Sequence, residues 1–156
     1  MDHADVVTAF LLRRLPGQAN HPQEKDEILL TRRSERVGTY RGRWAGVSGF
    51  VEAPPEEQAY TEIWEETHLS RADARLLRRG EPLTFVDSDL HREWTVHPFL
   101  FFVPDSSKIQ MDWESVESRW VAPQALDQYE TVPMLREALA RVYPPETPAQ
   151  ASASSG

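Results

Sequence analysis

Two prolines, Pro54 and Pro55, open the stretch PPEEQAYTEIWEETHL, which no glycine interrupts. Proline suits the first turn of a helix, and Glu56 and Glu57 complement the positive end of the helix dipole, so the stretch predicts a helix. Ala59 and Ile63, four residues apart, with Tyr60 beside them, form its core-facing stripe. Glu62, Glu65 and Glu66 then stand at i, i+3 and i+4, and their carboxylates project from one face. Like charges at that spacing cost about 0.2–0.5 kcal/mol per pair, and more when the patch is desolvated. A divalent cation removes both penalties. Oxygen donors without thiolates or a tight histidine cluster favour Mg²⁺ or Mn²⁺, with Ca²⁺ as an alternative occupant and zinc disfavoured.

On composition alone a glutamate-rich helix is a solvated face. The residues before it point elsewhere. Gly49-Phe50-Val51-Glu52 is a glycine-containing strand-turn with a further carboxylate, and it leads directly into the acidic helix. Backbone groups there can face the same ion.

The rest of the chain supplies a frame for this unit. With 156 residues, 40% of them hydrophobic, it fits one domain with a real core, expected over residues 1–143. Residues 6–12 are β-branched and apolar and predict a buried strand. After a polar loop over 16–25, residues 27–32 predict the returning strand of a hairpin. Gly38, Gly42, Gly46 and Gly49 break the next stretch into strand fragments and turns. Further strands are expected over 74–77, 83–86, 94–103 and 119–121, and a C-terminal helix over 132–143. Residues 144–156, rich in proline, alanine and serine, read as a disordered tail. Mixed strands and two helices predict an α/β or α+β layered sandwich.

A net charge of −8 argues against general nucleic-acid affinity, which needs a basic surface, but allows a small anion held through a cation. The absence of cysteine excludes disulfides, thiolate zinc sites and a cysteine nucleophile. Residues 1–7 lack the basic leader of a secretory signal, and apolar runs such as 98–103 are too short to span a bilayer, so a cytoplasmic protein without a membrane partner is expected.

The stretch GFVEAPPEEQAYTEIWEETHL resembles the Nudix box, G-x5-E-x7-R-E-U-x-E-E-x-G-U with U aliphatic. Gly49 takes the place of the opening glycine and Glu62 that of the glutamate after the box arginine. Ile63 and Leu69 match the aliphatic positions, and Glu65 and Glu66 the paired glutamates. Glu52 matches a glutamate common in the variable part. RWAGVSGFVE is similar to the strand entering the box, and DWESVESRWVAPQAL to the segment near the end of such domains. Three features depart from the pattern. The segment from Glu52 to Glu62 is two residues short, leaving Glu56 as the nearest counterpart of the first box glutamate. Thr61 stands where the family has an arginine that orients a box carboxylate, and His68 stands where it has glycine.

The resemblance implies an α/β/α sandwich with a mixed sheet between helices. It also implies hydrolysis of a diphosphate linkage in a small-molecule nucleoside diphosphate derivative. Mg²⁺ or Mn²⁺ would be held by Glu62, Glu65, Glu66 and the Ser48 carbonyl, neutralising the diphosphate and acidifying a water. Glu62, Glu66 or Glu117 would accept the water proton, with Glu114 as a further candidate near the substrate. Gly49, Glu52, Trp44 and Arg43 would meet substrate, as would Arg41. Phe50, Trp94 and Trp113 are aromatic residues that either stack on a base or fill the core. A Nudix-fold binding or regulatory module of low activity is the alternative that the departures suggest, and a homodimer is compatible with the resemblance.

Two remaining features carry less. Asp87, Asp89, His91 and Glu93 alternate, but SDLHRE reads most simply as a polar hairpin turn. His97 reads as a packed strand histidine, and its neighbour Pro98 predicts a sheet edge or a bulge.

Overall fold

The computed structural model describes residues 1–15, 25–34, 38–111 and 115–145. Eight strands make one mixed sheet. Its spine is β1 (Asp2–Arg14) beside β7 (Arg92–Phe102), parallel and in register from Asp2 against Arg92 to Leu12 against Phe102. All other ladders are antiparallel. On one side of β1, β2 (Asp26–Arg33) pairs with its last residues and β4 (Val47–Phe50) with residues 6–9. β2 in turn carries β8 (Ser115–Val121) and the short β3 (Trp44–Ala45). On the far side, β5 (Arg75–Arg79) and β6 (Leu83–Asp87) share β7.

The continuous apolar run of β1 follows from burial on both faces. Val7, Ala9 and Leu11 pack with Ala59 and Ile63 of the helix α1 (Pro55–Thr67). Phe10 and Leu12 pack on the other face with Leu135, Ala138 and Leu139 of α2 (Leu135–Ala140) and with Leu126 of the 3-10 turn Pro123–Gln128. The result is a helix–sheet–helix sandwich, as expected. Each fully buried Leu or Phe contributes about 1.5–3 kcal/mol of burial.

Several readings differ from the structure, among them β1, which starts four residues before the expected residue 6. The C-terminal helix is shorter than residues 132–143, because Val132 donates its amide to the Trp44 carbonyl (2.9 Å) and Met134 takes a left-handed backbone, φ 65°. β8 begins four residues earlier than expected, since its partner β2 continues to Arg33. Pro98 sits in the central strand rather than at an edge. It lies where β6 gives way to β5 as the neighbour, and its carbonyl accepts from the Gly80 amide across that gap (2.9 Å). In an extended residue the amide position faces the same side as the carbonyl, so the proline's missing donor falls at the interruption of the ladder. The SDLHRE segment is the β6–β7 turn, in which Asp87 accepts from the amides of Asp89 (3.1 Å) and Leu90 (3.3 Å).

Candidate active site

α1 starts without a side-chain cap, on Pro54 and Pro55, and ends at His68, whose left-handed backbone (φ 63°) directs its amide to the Trp64 carbonyl. Glycine adopts that conformation freely; a histidine adopts it at a cost of about 1 kcal/mol. Buried Thr67 locks the last turn by donating to the Ile63 carbonyl (2.6 Å), and its own carbonyl receives the Gln110 amide (2.9 Å). The acidic face is thereby fixed against β4.

The contact between helix and strand is intimate. A Cβ built on Gly49 would lie 1.8 Å from Glu62 Oε1, so the carboxylate occupies the space that any side chain would need. Glu66 Oε2 accepts from the Ser48 amide at 3.3 Å. Ser48 lies opposite Thr8 in the ladder, yet its amide turns away from β1, and the carbonyl of an extended residue points the same way as its amide. The Ser48 carbonyl therefore faces the helix side. Ser48, Gly49, Glu52, Glu62 and Glu65 line one cleft of about 730 Å³. Glu65 is exposed, whereas Glu62 and Glu66 are half-buried.

The donor chemistry fits Mg²⁺ or Mn²⁺: glutamate oxygens, a backbone carbonyl and a glycine that admits a carboxylate against the strand. Among the described residues, however, no three acidic or imidazole side chains converge on a single point that could hold an ion. Thr61 gives no substitute for the missing arginine, since its hydroxyl donates to the Glu57 carbonyl of its own helix (3.1 Å). Glu56 is ion-paired with Arg79 and is not among the residues that line the cleft.

Several predicted residues are not brought to this cleft. Trp44 is buried in the core, edge-on to Tyr129 at 5.4 Å, and does not offer a stacking face. Arg43 donates to the Thr131 carbonyl (3.2 Å) and pairs loosely with Glu130 (3.8 Å). Glu117 lies opposite Arg32 and is paired with Arg32 (3.4 Å) and Arg119 (3.2 Å). Arg32 shares strand parity with Leu30 and Ile28, which belong to the α2-side core, so Glu117, directly opposite it, is on the sheet face away from α1. Arg41 is exposed. Trp113 and Glu114 fall outside the described residues, as do residues 146–156 of the C-terminal tail.

The cleft also uses residues that the sequence reading passed over. Gln58 is buried and accepts from the Glu52 amide (3.0 Å), holding the shortened segment before the helix. Arg33 lines the cleft and binds the Thr39 carbonyl (2.9 Å). Tyr40 and Met134 line it as well. A polar Gln58 on the helix stripe was the one visible signal; the others depend on long-range packing.

A NUDIX domain model matches residues 19–144, most of the chain. This protein belongs to the Nudix family. Solved structures of low identity agree in fold. The Nudix chain is similar to a C. elegans Ap4A hydrolase in a binary complex (16% identity, TM-score 0.70, covering 88% of this chain and 93% of that one). It is similar to RenU, a Nudix hydrolase from M. smegmatis (17%, TM-score 0.70, covering 100% and 89%). The NUDIX domain of Shewanella oneidensis NrtR, complexed with ADP ribose, also matches (13%, TM-score 0.66, covering 90% and 86%). Among curated proteins nothing matches. Family membership makes hydrolysis of nucleotide derivatives the general expectation for this Nudix chain, and no described helix is long and apolar enough to cross a membrane.

Proposed function

We propose that this protein is a metal-dependent Nudix hydrolase that cleaves a diphosphate linkage in a nucleoside diphosphate derivative, using a single domain over residues 1–143. The observation that carries this reading is the Glu62 carboxylate seated on Gly49, with Glu65 in the same cleft and Glu66 tied to the Ser48 amide. Glu62, Glu65, Glu66 and the Ser48 carbonyl would hold Mg²⁺ or Mn²⁺. When bound, the ion supplies charge neutralisation and an acidified water. Glu62 or Glu66 accepts the proton of the attacking water, whose oxygen adds to phosphorus as the bridging P–O bond breaks. Glu52 and Gly49 border the diphosphate. The Ap4A hydrolase and the ADP-ribose complex are both proteins for nucleotide-type ligands and agree with this substrate class.

The test is a panel of nucleotide sugars, ADP-ribose, dinucleotides, dinucleoside polyphosphates and nucleoside triphosphates with Mg²⁺ or Mn²⁺. The wild type is expected to turn over at least one, and Glu66→Gln to lose that turnover. Unchanged turnover in Glu66→Gln overturns the assignment of the acidic helix.

A second reading, a nucleotide-binding module that hydrolyses poorly, is favoured by two observations. Among the described residues no three acidic or imidazole side chains gather at one point, and Thr61 is turned back to its own helix. Binding without metal-dependent turnover of any panel member selects it.

A further inference from the structure

The acidic residues account for only one end of the cleft. β4 runs against β1 with Val6 opposite Phe50, Val7 opposite Gly49 and Thr8 opposite Ser48. Val7 belongs to the α1-side core and Val6 packs on the α2-side core, so Gly49 faces α1 while Phe50 faces the other layer. The cleft therefore straddles the open edge of β4. On the α2 side three rings meet: Phe50 stacks on Trp94 (6.1 Å between centroids, 25° between planes) and Tyr40 tilts against the same indole (6.0 Å, 46°). Trp94 is buried and carries the Arg92 guanidinium 5.0 Å from its ring. Phe50, in contrast, is 54% exposed. It is a flat apolar ring presented at a cleft and backed by a second, buried ring.

Tyr40 is held from outside the cleft. Its hydroxyl donates to Asp87 Oδ2 at 2.6 Å, and Asp87 is itself fixed by the two turn amides it accepts. Burial first, and then the Asp87 carboxylate, push the Tyr40 phenol up to about 12, so it stays a donor throughout the ordinary pH range.

We propose that this half of the cleft is a nucleobase slot in which Phe50 stacks the base and Asp87, acting through Tyr40, holds in place the Trp94 indole that backs Phe50. Phe50 is then a residue that determines affinity for the nucleoside part, and Asp87 a positioning residue that touches no ligand. The idea rests on the cleft of the proposed hydrolase but not on hydrolysis, because stacking needs no metal and no diphosphate. Base–aromatic stacking lost by truncation to alanine corresponds to about tenfold or more in affinity.

Calorimetric titration with AMP, GMP, CMP and UMP in the absence of metal, against ribose 5-phosphate and dimethylallyl monophosphate, tests it. At least one nucleotide should bind about tenfold tighter than both controls. Phe50→Ala should remove that preference and Phe50→Trp keep it, each checked for unchanged thermal unfolding, since an exposed ring contributes little to the core. Asp87→Ala and Tyr40→Phe should each weaken nucleotide binding several-fold, with the double variant no worse than either alone, and Asp87→Asn, whose single amide oxygen can serve Tyr40 or the two turn amides but not both, should fall between Asp87→Ala and wild type. Nucleotides that bind no better than ribose 5-phosphate, a preference for the prenyl phosphate, or a folded Phe50→Ala with unaltered affinity overturns the slot. Nucleotide binding without turnover would leave the slot standing while removing the hydrolase reading.

Discussion

The carboxylate of Glu62 lies where the side chain of residue 49 would begin, and only glycine permits it: a Cβ there would sit 1.8 Å from Oε1 and 2.6 Å from Oε2. Gly49→Ala must therefore displace Glu62, either by rotating it or by moving α1 off β4. We expect metal-dependent turnover to fall at least tenfold, the rate equivalent of about 1.4 kcal/mol. Steady-state kinetics with titrated Mg²⁺ checks this; an alanine variant with wild-type kcat and metal dependence removes Glu62 from the mechanism.

Thr61 lines the cleft yet spends its hydroxyl on the Glu57 carbonyl. An arginine there would reach the neighbouring carboxylates, and a charge-assisted bond of about 1.5–3 kcal/mol corresponds to roughly ten- to a hundredfold. Thr61→Arg is expected to raise kcat/KM within that range if orientation of the acidic face limits the reaction. A fall in rate on introducing the arginine would mean that this chain holds its glutamates by other contacts.

Asp5 lies under the strand that enters the box, its carbonyl accepting from the Val51 amide (2.9 Å). Its carboxylate accepts from His97 (3.1 Å) and faces His3 (3.3 Å), and the bond to His97 holds its pKa below the ordinary 3.8. A lowered folded value stabilises the native state above the unfolded pKa, and the gain disappears as the pH falls through the folded value. Because the side chain is 43% exposed, solvent screens the effect and it should be small. Thermal unfolding of wild type and Asp5→Asn from roughly pH 6 to pH 2 should show the two curves approaching each other towards acid. A constant gap across that range contradicts the assignment.

Tyr143, just beyond α2, donates to Asp26 Oδ2 at 2.8 Å, and Arg14 binds the same carboxylate at 2.7 Å. The Asp26 side chain is wholly buried, so each of its bonds matters. Tyr143→Phe keeps the ring and removes one donor to a buried charge, at a cost of about 1.5–3 kcal/mol. Denaturant unfolding should show the loss with an unchanged slope, and turnover at saturating substrate should not change.

Much of the fold is legible in the sequence. The acidic helix, its proline start and the buried strands over 6–12 and 27–32 follow from local rules: the fixed φ of proline, the i, i+3, i+4 geometry of a helix, and apolar runs that only a two-sided core can bury. Ser48, Gly49, Glu52, Glu62 and Glu65 do meet in one cleft. What sequence spacing could not reveal was which face of the sheet each candidate occupies. Glu117 and Trp44 are near the box in the chain or near tryptophan-rich motifs, but strand parity turns both to the α2 side, into ion pairs and core. Of the two readings of Pro98 the edge fails for a related reason: a proline needs only an interrupted ladder, and a central strand shared by two short neighbours, one of them with a register shift between Leu76 and Arg78, supplies one as well as an edge does.

Residues of opposite parity on the four-residue strand β4 answer to different layers, the glycine to the acidic helix and its neighbour Phe50 to the aromatic hollow. Changes at Phe50, Tyr40 or Met134 can alter which molecules enter without disturbing the seat of Glu62. Divergence in ligand choice and conservation of reaction chemistry can then proceed side by side, one residue apart, under separate selection.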